Sequence, residues 1–255
     1  MSDAYRIGFP DFAAKATAKH SSVLEAATEY FGLAAELLGP PTTTEFISLL
    51  RSVCLTISNS FQSVLLLTMN GCGTDALKIA RSIFESSVSV GYIQKNPALA
   101  ADFIDYRWVK RHKHQEFLAQ YAPAQLTALS PAEVAKTVAE YGRVKNKFKG
   151  RKSWSDKDLR QMAKDIGIEQ SYLGIYPFTS SVHHLDVIGV MAQEDENLFD
   201  IEVLPSEKNI GIALSISGLG AYVSLASFDE AAKLGKETVL ADWLFKKYKT
   251  ALTSQ

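Results

Sequence analysis

Between Thr42 and Asn70 apolar side chains return at helical spacing: Phe46, Leu50, Val53, Ile57, Phe61 and Val64, with Thr68 closing the stripe. Unbroken, that helix would be roughly 40 Å long. A rod of that length with one apolar face needs other helices to cover it, and this requirement constrains the fold more than any other feature. Its start is marked by Gly39-Pro40-Pro41, with Thr42 and Glu45 as a capping box. Asn70-Gly71-Cys72-Gly73 ends it.

The rest of the chain supplies the partners. Val23, Ala26, Ala27, Tyr30, Phe31, Ala34 and Leu37 share one face of an earlier helix. Thr74 caps a helix running to about Lys95, and Asn96-Pro97 restarts the chain for a helix to about Gln120. Pro131 opens another, to about Lys147. Ser155 and Asp158 cap a short one ending near Gly167, and the next covers Gln170 to His184, with Pro177 bending or restarting it. Residues 190–205 are acidic and lack a stripe, so they read as an exposed loop, with a short extended piece at Asp200 to Leu204. Ser206 caps the following helix, whose small residues (Gly211, Gly218 and Gly220 among them) allow close backbone approach to a neighbour. The last helix is expected from Phe228 to Lys249, with Leu240, Leu244 and Tyr248 on its stripe. Short links favour antiparallel neighbours. The expectation is therefore an all-α, antiparallel multi-helix bundle with additional C-terminal helices. It is read as one domain over 1–255, with 1–40 as a candidate N-terminal extension.

Several function classes recede on composition. The chain has 255 residues and a formal net charge of -1, so any nucleic-acid surface has to be local. Cys54 and Cys72 are the only cysteines, which suits two thiols better than a disulfide and leaves no thiolate set for structural zinc. Met1 to Lys19 shows no basic region followed by an apolar core, and the weakly polar run Ile210 to Phe228 is diluted by serine and glycine. A cytoplasmic location without a membrane span is the expectation. Glu85, a histidine at 183 or 184, and Asp186 are the residues that could supply metal ligands, but no Glu-x-x-His or His-Glu-x-x-His occurs, so no metal or other cofactor is expected.

Charge is distributed unevenly. Arg143 to Lys152 holds six basic residues (Arg143, Lys145, Lys147, Lys149, Arg151 and Lys152) and no acid. Asp165 to Glu207 contains nine acids and no lysine or arginine. The basic run, with Phe148 and Trp154 in or beside it, is either a phosphate-contacting and base-stacking surface or a solvated helix end. A third reading has it neutralise the acidic stretch, in this chain or in a second copy.

Three polar constellations stand out. Asp75, Lys78, Arg81 and Glu85 gather on one side of an otherwise apolar helix, with Arg81 four residues before Glu85. This is either a solvent-facing strip or a polar seam within the bundle. Tyr172, Tyr176, Ser180 and one of His183 or His184 recur at helical spacing, which serves acid–base chemistry or a satisfied core network equally well. Arg81 is the natural positive partner for that face. Finally, Arg107 precedes His112 and His114 on a basic helix that also carries Lys110 and Arg111. An arginine that stabilises phosphoryl charge and a histidine that moves a ribose proton would make a metal-independent RNA-cleavage pair. A solvated basic surface produces the same spacing.

Residues Gly73-Thr74-Asp75-Ala76-Leu77-Lys78-Ile79-Ala80-Arg81-Ser82-Ile83-Phe84-Glu85 resemble a family of helical bacterial proteins, the domain of unknown function numbered 5677. The similarity continues through Asp102-Phe103, the Trp154 region and Ser180-Ser181-Val182-His183, roughly Leu49 to Gly189. It implies a mostly helical bundle with Arg81, Glu85 and His183 at the family's polar positions, and no particular reaction. The Arg107 motif distantly resembles that of the HEPN group, helical ribonuclease-type domains of prokaryotic defence systems. That likeness implies dimers with two motifs meeting across an interface. Trp108 stands where the group's motif carries a polar residue, so cleavage does not follow from the likeness alone.

The sequence thus favours a binding or regulatory module with Arg81, Glu85, Tyr176, Ser180 and His183 as its polar site. The alternatives are an endoribonuclease using Arg107 with His112 or His114, and a small-molecule enzyme built around His183 and Glu85. Expected partners are a second copy of the chain and RNA or another anion.

Overall fold

The computed structural model describes residues 8–41, 44–184 and 205–254, without the side chains of His183 and His184. Among the described residues the chain is helical throughout and has no strand, as the periodicity predicts. The helices are α1 (Pro10–Lys19), α2 (Ser21–Leu38), α3 (Glu45–Met69), α4 (Gly73–Lys95), α5 (Ala100–Tyr121), α6 (Pro123–Thr127), α7 (Pro131–Val144), α8 (Leu159–Asp165), α9 (Glu169–His184), α10 (Ile210–Ala232), α11 (Glu237–Asp242) and α12 (Lys249–Thr253). A 3₁₀ turn at Pro97–Leu99 leads into α5, and a π-helical stretch at Trp243–Tyr248 joins α11 to α12. The acidic stretch 190–205 lies outside the described residues apart from Pro205.

The described residues gather into two compact units. One is formed by the helices up to Lys95 together with those from Leu159 onward, the other by Asn96–Asp158.

In the first unit α3, α4 and α10 pack on one another, α2 lies on α3, and α8 and α9 lie on α4. Leu50, Ile57, Phe61 and Val64 of the long stripe are at most 1% exposed, whereas Phe46 and Val53 are half-buried and Cys54, outside the predicted stripe, is fully buried. The Cys54 thiol donates to the Ser224 carbonyl at 3.3 Å, and burial pushes its pKa up to about 12, so it is an inert core group. Both cysteines are free thiols. The small residues of α10 do bring backbones close: a Cβ at Gly218 would stand 2.1 Å from the Tyr248 ring, and one at Gly220 would stand 2.6 Å from Ile83 Cγ2. α3 and α10 are long and apolar enough to cross a membrane by length and composition. In α10 61% of the most apolar window is nonetheless buried within the chain, as in a core helix.

Several boundaries differ from expectation. Thr44, not Thr42, caps α3: its Oγ1 accepts the Ile47 N–H at 3.2 Å, and Glu45 becomes the first helical residue, where its charge suits the dipole. Three consecutive threonines precede Glu45, and each has the chemistry of a cap. α4 begins at Gly73, and Thr74 Oγ1 instead accepts from Asn209 Nδ2 at 3.0 Å. Ser206 forms a turn with the Lys208 N–H, and α10 starts after Asn209, whose φ of 63° sets the entry. α10 runs straight through Phe228, and the break comes at Lys233, also left-handed at φ 57°, and at Gly235. α7 stops at Val144, three residues early, and α9 continues through Pro177 without restarting.

In the second unit α7 returns along α5. Asp102 and Asp105, from the first turns of α5, meet cations at and beyond the end of α7. Arg143 holds Asp105 through both Nη atoms at 2.7 and 3.5 Å, and Lys147 reaches Asp102 at 2.7 Å and Asp105 at 3.1 Å. The Arg143 hydrogen bond, then that of Lys147, holds the Asp105 carboxyl below the usual carboxylate range. A depressed carboxyl contributes stability that is complete above its unfolded pKa and lost as pH falls through its folded one. Asp105→Asn is therefore expected to lower the thermal midpoint at neutral pH and to flatten its decline below about pH 4. Parallel pH series of the parent and variant, followed by circular dichroism, check both effects. Identical slopes would remove Asp105 from the acid response.

Candidate functional site

Along α4 the polar strip grades from solvent to interior. Asp75 and Lys78 pair at 2.9 Å on its outer first turn, with the Asp75 side chain 56% exposed. Arg81, two turns in, is only 6% exposed. Burial of a guanidinium demands partners, because an uncompensated charge in the interior costs several kcal/mol. Two partners are present. Glu85 Oε1 accepts from Arg81 Nε at 2.8 Å, the expected i,i+4 pair. Tyr176 of α9 accepts from Arg81 Nη2 at 3.0 Å, and its ring centre lies 4.6 Å from the guanidinium carbon. Tyr172, one turn earlier, stacks on Tyr176 with centroids 4.8 Å apart and planes at 16°. The third nitrogen, Nη1, is buried and has no hydrogen-bond partner among the described residues.

The geometry orders this group tightly. Glu85 fixes the Nε edge, and Tyr176, backed by Tyr172, lies against the guanidinium and fixes Nη2. Both N–H donors on Nη1 remain, aimed by the contacts made through Nε and Nη2. Glu85 is the wet member, with its side chain 38% exposed. Ser180 is half-buried one turn beyond Tyr176. The side chain expected at His183 lies outside the described residues, and Glu85, Arg81 and Tyr176 converge without it.

The Arg107 region is built differently. Trp108 is a buried anchor at 4% exposure, and Arg107 and Arg111 lie over its ring with their guanidinium carbons 4.8 and 5.4 Å from the ring centre. His112 stacks face to face on Tyr141 of α7, 3.8 Å between centroids, and turns Nδ1 toward Glu116 at 3.5 Å. That packing engages the His112 ring with α7 and with the next turn of α5. His114 is exposed. Sequence reasoning missed the Tyr141 stack, because nothing in the spacing within α5 says what α7 presents to it.

The basic run is engaged within its own unit. Arg143, Lys147 and Arg151 pair with Asp102, Asp105, Glu140 and Asp156. Phe148 and Trp154 are 5% and 8% exposed and pack edge-on against Tyr106 and Phe103. They serve as core anchors, with their faces covered. Lys110, Lys145, Lys149 and Lys152 are exposed.

A protein-family model described as "Family of unknown function (DUF5677)" matches residues 48–197. That is more than half of the chain, and it contains Arg81, Glu85 and Tyr176. No curated protein and no solved structure matches the chain.

Proposed function

This chain belongs to the DUF5677 family, and we propose that it is a helical binding module in which Arg81 receives an anionic group of a small ligand. The observation that carries this reading is the buried Nη1, without a hydrogen-bond partner among the described residues, of a guanidinium held at Nε and Nη2. Leaving a buried donor unsatisfied costs about 1–3 kcal/mol, a cost that a carboxylate or phosphate oxygen removes. Arginine suits the task because its planar fork can hold Glu85 and Tyr176 on one side and a ligand oxygen on the other. Glu85 positions the cation, and the stacked tyrosines give the site a flat aromatic wall. The ribonuclease alternative has less support, because His112 is packed against Tyr141 and only His114 of its two candidate histidines is left exposed for the role.

The test uses acetate and phosphate as probes against chloride at matched ionic strength. Either probe is expected to raise the thermal midpoint of the parent protein. At about ten times its dissociation constant a ligand stabilises by about 1.4 kcal/mol. Arg81→Lys keeps the charge but loses the fork, and is expected to abolish most of the shift. No response in the parent, or an equal response in the variant, would refute the reading.

A further inference from the structure

A separate cavity of about 700 Å³ opens where α4 and α10 end, within the first unit. Its size is that of a small-molecule site. The apolar floor comes from Gly91 of α4, Ile166 and Ile168 of the α8–α9 link, and Val223 and Ala226 of α10. Gly91 keeps that floor thin: a Cβ there would stand 3.0 Å from Ile166 Cδ1 and 3.4 Å from Ser227 Oγ. The rim is polar, with Tyr222, Glu230, Glu237, Lys95 and Lys233.

The rim groups divide by what they already bind. Lys95 Nζ donates to the Asp165 carbonyl at 3.2 Å, and Asp229, 3% exposed, accepts the Lys236 N–H on both oxygens at 3.0 Å. Asp229 thereby caps the start of α11 and is not available to a ligand. Glu230 and Glu237 have no ion pair among the described residues. Burial, then the Glu237 charge, raises the pKa of the Tyr222 hydroxyl, which therefore stays protonated beside that carboxylate. α4 and α10, of 23 residues each, both point their C-terminal ends at this place. Each such end carries about half a negative charge. That accounts for Lys95 and Lys233 without a ligand, and it adds to the negative potential of the two carboxylates. Three carboxylates (Asp229, Glu230 and Glu237) against two lysines (Lys95 and Lys233), together with the two helix ends, leave the mouth net negative, and an apolar floor beneath it suits a molecule with a hydrocarbon part and a positive head.

We propose that this cavity binds a small amphiphilic amine, its hydrocarbon part on the floor of Ile166, Ile168, Val223 and Ala226 and its ammonium group at the Glu230 and Glu237 carboxylates. This site is independent of Arg81 and takes a ligand of opposite charge.

Isothermal titration with hexylammonium chloride tests the proposal on the whole chain. Saturable one-site binding is expected, at least about tenfold tighter than that of hexanoate or hexan-1-ol, equivalent to 1.4 kcal/mol. The surface pair E230Q/E237Q is expected to weaken binding at least about tenfold while leaving the thermal midpoint near that of the parent. Ala226→Phe fills the floor and is expected to block the amine. Should that variant fail to fold, the charge pair alone decides. Arg81→Lys is expected to bind the amine as the parent does. Absence of saturable binding, equal or tighter binding of hexanoate, or undiminished affinity in E230Q/E237Q would each overturn the proposal.

Discussion

Replacing Trp243 by alanine is expected to cost about 3–5 kcal/mol of stability. The side chain is 1% exposed, and its ring lies 5.1 Å from those of both Tyr30 and Tyr248. Its indole N–H donates to the Ala26 carbonyl at 2.7 Å, tying the π-helical stretch to α2 across 217 residues of sequence. Tyr30 in turn packs edge-on against Phe61 of α3 and shares a hydrogen bond with Ser58. A cavity of indole size at that junction takes a ring contact from both Tyr30 and Tyr248, and each is held by its own hydrogen bond and by Phe61 rather than free to collapse into the space. Trp243→Phe keeps most of the ring and loses the hydrogen bond, so its cost is expected near about 1–2 kcal/mol.

Urea unfolding followed by far-ultraviolet circular dichroism measures both, since the substitution removes the indole that would report by fluorescence. In a chain of this size each kcal/mol moves the thermal midpoint by about 2–4 °C. An alanine cost under about 1 kcal/mol would mean that the aromatic cluster is peripheral to the core.

Trp243 also marks a limit on what periodicity reveals. Five residues separate it from Tyr248, which on an α-helix places them about 140° apart. The π-helical stretch widens the turn and brings both onto one side, so a stripe drawn at α spacing takes in Leu240, Leu244 and Tyr248 and passes over Trp243. The same limit hid the end of α10. A helix apolar nearly all round carries no phase to lose, and its end depends on the left-handed Lys233 and on Gly235. Where a single strip of charge crosses an apolar helix, much more was legible. The Arg81–Glu85 pair follows from i,i+4 spacing, and the tyrosine face of α9 was its natural partner by elimination of other cations. The depth at which Arg81 sits was not legible, because both an outer strip and an inner seam write the same residues. Nor were the partners of the basic run. A cluster of cations states that anions are needed and leaves open whether RNA, the acidic stretch or Asp102 and Asp105 supply them.

One chemical change made at two glycines is expected to give opposite results. Gly32 lies within α2, exposed, with nothing within 4 Å of an added Cβ. Gly32→Ala removes backbone freedom from the unfolded chain and is expected to stabilise by about 0.5–1 kcal/mol. Gly218 lies within α10, where the same methyl would stand 2.1, 2.7 and 2.8 Å from three ring atoms of Tyr248. That ring cannot step aside, for Tyr248 is 0% exposed and its hydroxyl donates to the Leu214 carbonyl at 2.8 Å. Phe61 and Trp243 bracket it on other sides. Overpacking costs about 1–3 kcal/mol or more, which outweighs the helix-propensity gain, so Gly218→Ala is expected to destabilise. The clash belongs to one pair, and a double-mutant cycle isolates it. In a Tyr248→Leu background the shorter side chain leaves room for the methyl, and Gly218→Ala is expected to lose most of its cost, with a coupling of about 0.5–3 kcal/mol. Urea midpoints of the four proteins give the cycle. A Gly218→Ala that stabilises like Gly32→Ala would show that α10 and the C-terminal aromatic cluster do not meet as closely as the fold requires.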